Sequence, residues 1–430
     1  MKLRTFVASP LVALLVACGG DDASTGPEDA GVPEDSSVQD AGGPDSGSVQ
    51  DAGVGTDSSV QDAGLLDAAP VDAGPVDAGP VDAGPPPPAP AVSYIGRWKI
   101  TGGEAIAGYP AARAVARFQG TAASVTIRDA ALAGSGPSYF DVLVDGAFSK
   151  TVSVAAGATT VVPLATNLPA GDHEVELYRR TEAYTGTVAV SGWTFPNGVL
   201  LAPPARKARH IEFIGNSTLD GYGVDGNRNQ PATCSPLAKA HNARRSLIPL
   251  LADLLDAEAY APSASGIGVL YNENPNAGEH IAATYPRTHP LVAGAWDFSS
   301  WRADAIVIMV GGTDLANPAV NPPPTQAAFA NGYGQFLAQV RAANPTAKIF
   351  ATTSPTLNDD YPANYQARTK SVAALTAAVA ARASAGDNQV YAFAFTQDGD
   401  LTACDYHPSY ALYQRMAAEI APFIRSKTGW

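Results

Sequence analysis

The chain reads as an α/β protein in which a β-sandwich precedes a domain with a parallel sheet and helices on both faces. Three observations lead there. Residues 19–90 are low in complexity, residues 91 to about 201 run in short strand patterns with no helical period, and strand and helix patterns alternate from His210 onward. Four segments result: a leader at 1–18, a linker at 19–90, a sandwich at 91–204 and an α/β domain at 205–430.

In the leader, Lys2 and Arg4 precede an apolar run from Phe6 to Ala17. That run is too short to span a bilayer and ends in small residues, as export signals do. Leu15-Val16-Ala17-Cys18 resembles a lipobox, so Cys18 is expected to carry the lipid and to begin the mature chain. An ordinary signal peptide with an incidental cysteine is the other reading. The wording of the signal implies a bacterial cell envelope, periplasmic or surface-exposed, with the membrane reached through the lipid anchor only.

The linker holds fifteen of the 41 acidic residues and no Lys or Arg. Val-Asp-Ala-Gly-Pro repeats from Val71, and four prolines, Pro85 to Pro88, close it. Almost no large apolar side chain is present to offset chain entropy, and the prolines favour an extended, semi-stiff spacer. The net charge of −14 therefore belongs mainly to the linker. Residues 91–430 are near neutral and offer no surface for nucleic acid.

In the sandwich, 115–118, 123–127, 140–144 and 174–178 alternate or run apolar, separated by turn signals such as Asp145-Gly146 and Pro169-Ala170-Gly171. In the α/β domain, strands are expected at 211–214, 305–310, 349–352 and 390–395. Helices are expected at 243–255, 326–343, 365–383 and 410–424. Such alternation places reactive groups just beyond the carboxyl ends of the strands.

Three strand ends carry chemistry: Gly215-Asn216-Ser217, Gly311-Gly312-Thr313-Asp314 and Cys404-Asp405-Tyr406-His407. A serine hydroxyl is a weak nucleophile until an imidazole takes its proton, and the imidazole needs its other nitrogen held. Ser217 is the candidate nucleophile, His407 the base, and Asp405, two residues earlier, the acceptor that orients it. Backbone N–H groups at Ser217 and Gly266 are candidates for the oxyanion. Each piece alone has a blander reading, as a cap, a loop residue or a solvated charge. Leu219 stands where a Gly-x-Ser-x-Gly elbow would close, which disfavours an α/β-hydrolase fold. No His or Cys cluster has metal-ligand spacing, so neither metal nor cofactor is expected. Cys234 and Cys404 leave two readings open: a disulfide in an oxidising compartment, or two separate buried thiols.

These blocks resemble the SGNH (GDSL-like) hydrolases and, within them, carbohydrate esterase family 2. Ile211 to Ser217 with Gly221-Tyr222-Gly223 is similar to the first block, Ser265-Gly266-Ile267-Gly268 to the second, Trp296-Asp297-Phe298 with Gly311 to Asp314 to the third, and Asp405 to Ser409 to the last. His173 to Glu182 is similar to the end of that family's jelly roll. The resemblance implies a jelly roll on a flavodoxin-like SGNH domain and removal of acetyl groups from xylan or related hemicellulose. It also implies Ser217, His407 and Asp405 as catalytic residues, and Gly266 with Thr313 completing the oxyanion hole. No metal or organic cofactor is implied. The expected partner is acetylated polysaccharide, and a monomer is the default.

Two departures stand out. Asn216 replaces the aspartate before the nucleophile, and Thr313 replaces the asparagine of the third block. Loss of one oxyanion donor costs roughly 3–4 kcal/mol, so weakened or retuned activity is expected. A polysaccharide-binding lipoprotein with a degenerated catalytic domain is the second reading. An esterase on lipid or on O-acetylated envelope glycan is the third. Tyr222, Trp296 and Trp301 are candidate sugar-stacking walls or else core aromatics, and His289 is a further loop residue of interest.

Overall fold

The computed structural model describes residues 89, 91–131, 136–276 and 278–430. The expected lipidation at Cys18 and almost all of the linker lie outside the described residues.

Eleven strands among the described residues open the chain: β1 (Ser93–Ile95), β2 (Trp98–Thr101), β3 (Glu104–Ala107), β4 (Arg113–Gly120), β5 (Ala123–Ala131), β6 (Ser138–Val144), β7 (Ala147–Val154), β8 (Thr159–Ala165), β9 (Gly171–Arg179), β10 (Gly186–Thr194) and β11 (Val199–Leu200). They pair antiparallel in two sheets, β1-β4-β9-β6-β7 with β11 beside β4, and β2-β3-β10-β5-β8. Alternate residues point inward: Val125 and Ile127 of one sheet and Ala114, Ala116 and Phe118 of the other share one buried cluster. Four of these strands were expected from alternation. The short β2 and β3 were not, since Lys99 and Glu104 break their apolar pattern.

The second half contains β12 (Arg209–Gly215), α1 (Ser217–Asp220), α2 (Leu237–Ala240), α3 (Leu247–Leu254), β13 (Ala257–Tyr260), α4 (Ile281–Thr284), β14 (Arg287–His289) and β15 (Val292–Ala295). Next come β16 (Ala305–Met309), α5 (Gly312–Leu315), α6 (Gln326–Ala343), β17 (Lys348–Thr353), α7 (Ala367–Ser384), β18 (Val390–Ala394) and α8 (Tyr410–Thr428). The parallel sheet runs β13-β12-β16-β17-β18, the order 2-1-3-4-5 by appearance, with β14 and β15 forming a separate hairpin. Ile211, Phe213 and Val307 face α3 and α8 on one side; Ile214, Ile306 and Ile308 face α6 and α7 on the other. Burying an aliphatic side chain of this kind contributes about 1.5–3 kcal/mol. The helix expected at 243–255 begins later, because 243–245 is a 3-10 turn and Ser246 caps Leu247–Leu254 by accepting from Ile248 N at 3.1 Å. In this strand order the crevice lies where β12 is flanked by β13 and β16.

The sandwich is fastened to the α/β half by buried charge. Arg97, on the turn between β1 and β2, donates to Glu212 Oε1 at 2.8 Å and to the carbonyls of Tyr285 and Arg287, while Tyr285 donates to Glu212 Oε2 at 2.9 Å. Arg97 and Glu212 are both buried. Around this pair stand the rings of Tyr285, Phe298 and Trp296, 5.0–5.5 Å from the guanidinium carbon. A second bridge joins Arg180 of the sandwich to Asp225, and Arg244 to Asp141 of the sandwich.

Candidate active site

The nucleophile candidate sits where β12 ends. Gly215 has no room for a side chain: a Cβ there would lie 2.8 Å from the Met309 carbonyl oxygen. Asn216 then caps α1, accepting from Thr218 Oγ1 at 2.7 Å, and its amide donates to the Ile267 carbonyl at 3.1 Å. An aspartate carboxylate could not make that second bond, so Asn216 keeps the turn by neutral hydrogen bonding. Ser217 is the first residue of α1, and its N–H belongs to the unpaired first turn of a helix. Gly221, at φ 81°, ends the helix.

Beyond β13, Ser263 to Gly266 runs alongside, with Ala264 N donating to Gly215 O at 3.2 Å. Gly266 has φ 69°, and its carbonyl accepts from Glu273 N at 2.7 Å. The sandwich reaches this loop through Glu182, a buried carboxyl that accepts from Tyr184 N at 3.0 Å and is also hydrogen-bonded by Ser265. Burial raises the carboxyl's pKa against those bonds. Among the described residues, the backbone N–H groups of Ser217 and Gly266 have no protein acceptor.

Beyond β16, Gly311 at φ 120° passes so close to Phe329 that a Cβ would lie 2.7 Å from its ring. Asp314 is buried and accepts from the N–H groups of Val269, Leu270 and Tyr271 at 2.6–3.0 Å, which fixes the path of the segment after Gly266.

The imidazole stands on a short 3-10 turn, Cys404–Tyr406, before α8. Asp405 and Tyr406 both take the left-handed conformation, with φ of 52° and 60°. That path brings the carbonyls of Cys404 and Asp405 to 3.1 and 3.0 Å from His407 Nδ1. Nδ1 therefore carries the proton and Nε2 keeps its lone pair. Burial lowers the His407 pKa below 6.5, although both carbonyls and the Asp405 charge pull the other way. A disulfide joins Cys404 to Cys234 with Cα atoms 5.8 Å apart, which answers the question the sequence left open. It packs against Gly223 and Gly226, where any side chain would strike Cys404 or the sulfurs.

Ser217, Gly266, Gly312, Thr313, Tyr222 and His407 line one cavity of about 740 Å³ at this crevice. Its charged walls are Glu273 and Asp405, both acidic, and Tyr361 and Tyr406 stand at it 48% and 67% exposed. Residues 94–204 match the family Carbohydrate esterase 2 N-terminal, and residues 213–415 match the GDSL-like Lipase/Acylhydrolase family. A family two carbohydrate esterase from Clostridium thermocellum, in a structure with cellohexaose, superposes with a TM-score of 0.70 at 31% identity, covering 79% of this chain and 100% of that one. The chain belongs to carbohydrate esterase family 2. Relatives of this esterase include the Cellulase/esterase CelE of Acetivibrio thermocellus, 33% identical over 318 residues, 73% of this chain but only 36% of that longer protein. An Acetylxylan esterase / glucomannan deacetylase of Cellvibrio japonicus is 26% identical over 304 residues, covering 69% of this chain and 78% of its own.

Four expectations are corrected by the geometry. The Asp405 carboxylate does not hold His407; Oδ2 accepts from the Tyr222 hydroxyl at 3.1 Å, and only the residue's backbone oxygen faces the imidazole. Thr313 lines the cavity, but its single hydroxyl proton goes to the Ile267 carbonyl at 3.0 Å, so it is not a free oxyanion donor. Gly311 is packed behind the cavity against Phe329. Trp296 lies beside Arg97 and Tyr260, away from the cavity. Of the two readings left open for Trp301, the core aromatic is the one found, since it is buried against Tyr260. Tyr222 is at the site, with its ring centroid 4.3 Å from that of His407. The aromatic walls that the sequence pattern did not reveal are Tyr361 and Tyr406. Tyr406, lying between Asp405 and His407 in sequence, was the one with a signal.

Proposed function

We propose that this esterase removes O-acetyl groups from a hemicellulose-type polysaccharide through an acetyl-serine intermediate. The observation that carries the reading is one cavity holding Ser217, an imidazole with Nδ1 tied to carbonyls, and two unpaired N–H groups. In the reaction, Ser217 Oγ attacks the acetyl carbonyl carbon while His407 Nε2 takes the hydroxyl proton. The oxyanion is held by the N–H groups of Ser217 and Gly266. His407 then protonates the departing sugar oxygen, and the C–O bond to the sugar breaks. A water attacks acetyl-Ser217 with His407 again as base, releasing acetate and restoring the serine. The lowered His407 pKa keeps the base neutral near pH 7.

The names of the relatives favour xylan and glucomannan as substrates, and the Tyr walls suit sugar faces. The export signal and the Leu15 to Cys18 motif support a lipid-anchored enzyme of the bacterial cell envelope, held off the membrane by the linker. A slower, chiefly polysaccharide-binding role is the second reading, favoured by the committed Thr313 hydroxyl, which leaves the oxyanion hole one donor short.

Acetate release from acetylated xylan, acetylated glucomannan and an aryl acetate tests the reading, beside Ser217→Ala. Release that the variant abolishes is expected. No release from any substrate by the folded parent would overturn it in favour of binding.

A further inference from the structure

An acetyl group in the middle of a polymer can reach Ser217 only if the main chain leaves the catalytic cavity at both sides. A second hollow, of about 570 Å³, adjoins that cavity and shares Tyr222, Ser265, Gly266 and Glu273 with it. Both volumes fall within the range of ligand sites. The Gly266 loop thus borders both hollows, as two parts of one trough.

The far part is walled by both halves of the molecule. The sandwich supplies Tyr184, half-buried in the 3-10 turn Ala183–Thr185, whose hydroxyl has no protein partner among the described residues. The α/β half supplies Leu291, 39% exposed at the tip of the β14–β15 hairpin, and the ion pair Arg287–Glu279 at 2.5 Å. One residue holds the two walls at a set distance. His289, buried, accepts from Leu291 N at Nδ1 (3.1 Å) and donates from Nε2 to the Ala183 carbonyl at 3.3 Å. The ring fills the space above Gly108, where any Cβ would lie 1.5 Å from it. The walls are therefore built in advance of any ligand.

We propose that the trough binds the main chain of an uncharged glycan, which passes from Ser217 over Gly266 to lie between Tyr184 and Leu291. Tyr184 offers a ring face and a free hydroxyl, and Glu273 and Glu279 offer acceptors for sugar hydroxyls. Among the described residues Glu273 and Asp405 line the trough with no cation paired to them, and Arg287 is already paired with Glu279, so a uronic-acid chain is repelled. The inference rests on the deacetylase reading above and adds the direction of the chain and its charge class.

Binding of xylohexaose, xylobiose and a galacturonic-acid hexamer would be measured by calorimetry on the full chain carrying Ser217→Ala. The hexaose is expected to bind at least fivefold more tightly than the biose, and the acidic hexamer at least fivefold more weakly than the hexaose. Adding Tyr184→Ala should bring the hexaose close to the biose. Leu291→Ser, a surface change that leaves the core alone, should weaken the hexaose at least twofold. Unchanged hexaose affinity in both variants, or equal affinity for the acidic hexamer, would overturn the proposal. Aryl acetate turnover by the parent, run alongside, separates this failure from failure of the esterase reading itself.

Discussion

Ser217 stands on the first turn after the inner strand β12, whereas His407 stands just after a short 3-10 turn, on a loop with hardly any regular structure. On the serine side, position comes from the sheet: β12 is hydrogen-bonded on both flanks, Gly215 allows close approach, and Asn216 caps the helix. On the histidine side, position comes from two left-handed residues, a disulfide and two backbone carbonyls. The contrast teaches that a base held by carbonyls depends on the path of the chain more than on any neighbouring carboxylate. Side-chain chemistry next to His407 is then expected to matter less than whatever holds the backbone there.

The largest effect expected is on the serine side. Ser217→Ala removes the proposed nucleophile, and kcat should fall on the order of 10⁴–10⁶-fold, read from acetate release. A variant that stayed within tenfold of the parent would mean that another group attacks. Next comes the cross-link. Cys234→Ser with Cys404→Ser should cost about 2–5 kcal/mol of stability. The same double change should lower kcat on the order of tenfold with KM held, as the carbonyls drift from Nδ1. If Tm fell and kcat did not, the disulfide would be a stability device alone.

A smaller change sharpens the contrast further. Asp405→Asn should leave kcat close to the parent value, against the roughly 10⁴-fold loss seen when an orienting carboxylate is neutralised. A loss of that size would show that the carboxylate swings to the imidazole during turnover. The smallest expected effect is on pH. His407 has its pKa lowered from 6.5, so the imidazole is neutral above that value and protonates only as pH falls further. The acid limb of kcat/KM should therefore have its midpoint below pH 6.5. Because the Asp405 charge raises the His407 pKa, Asp405→Asn should move that limb to lower pH, and movement the other way would contradict the assigned electrostatics.

The same contrast explains what could be read from sequence. The place of Ser217 was legible because an apolar strand ending in glycine, followed by a capping residue and a serine, states its own geometry. The late helices and the parallel sheet were legible from alternation and from breaks such as Asn344-Pro345. The role expected of Asp405 failed because spacing alone cannot show the sign of φ: at 52° the residue turns its carboxylate toward Tyr222 and its carbonyl toward His407. Thr313 has the position of an oxyanion residue in its block, and only the Ile267 carbonyl beside it reveals where its proton goes. Trp296 has the same pattern, an aromatic in the right motif whose neighbour is Arg97. The strand β13 was illegible because Ala257-Glu258-Ala259-Tyr260 is too short to show a period.

The buried pair of Arg97 and Glu212 has a consequence for how such a molecule can be inherited. A recombination event that joined residues 205–430 to a different partner would remove Arg97 and leave the buried Glu212 carboxylate with the Tyr285 hydroxyl but no cation, a loss of about 3–5 kcal/mol. That is a large share of the stability of an ordinary domain. Selection would then see the two halves as one exchangeable gene segment, shuffled together or not at all. Expression of residues 205–430 alone, with and without Glu212→Leu, would show whether that carboxylate is what forbids the cut.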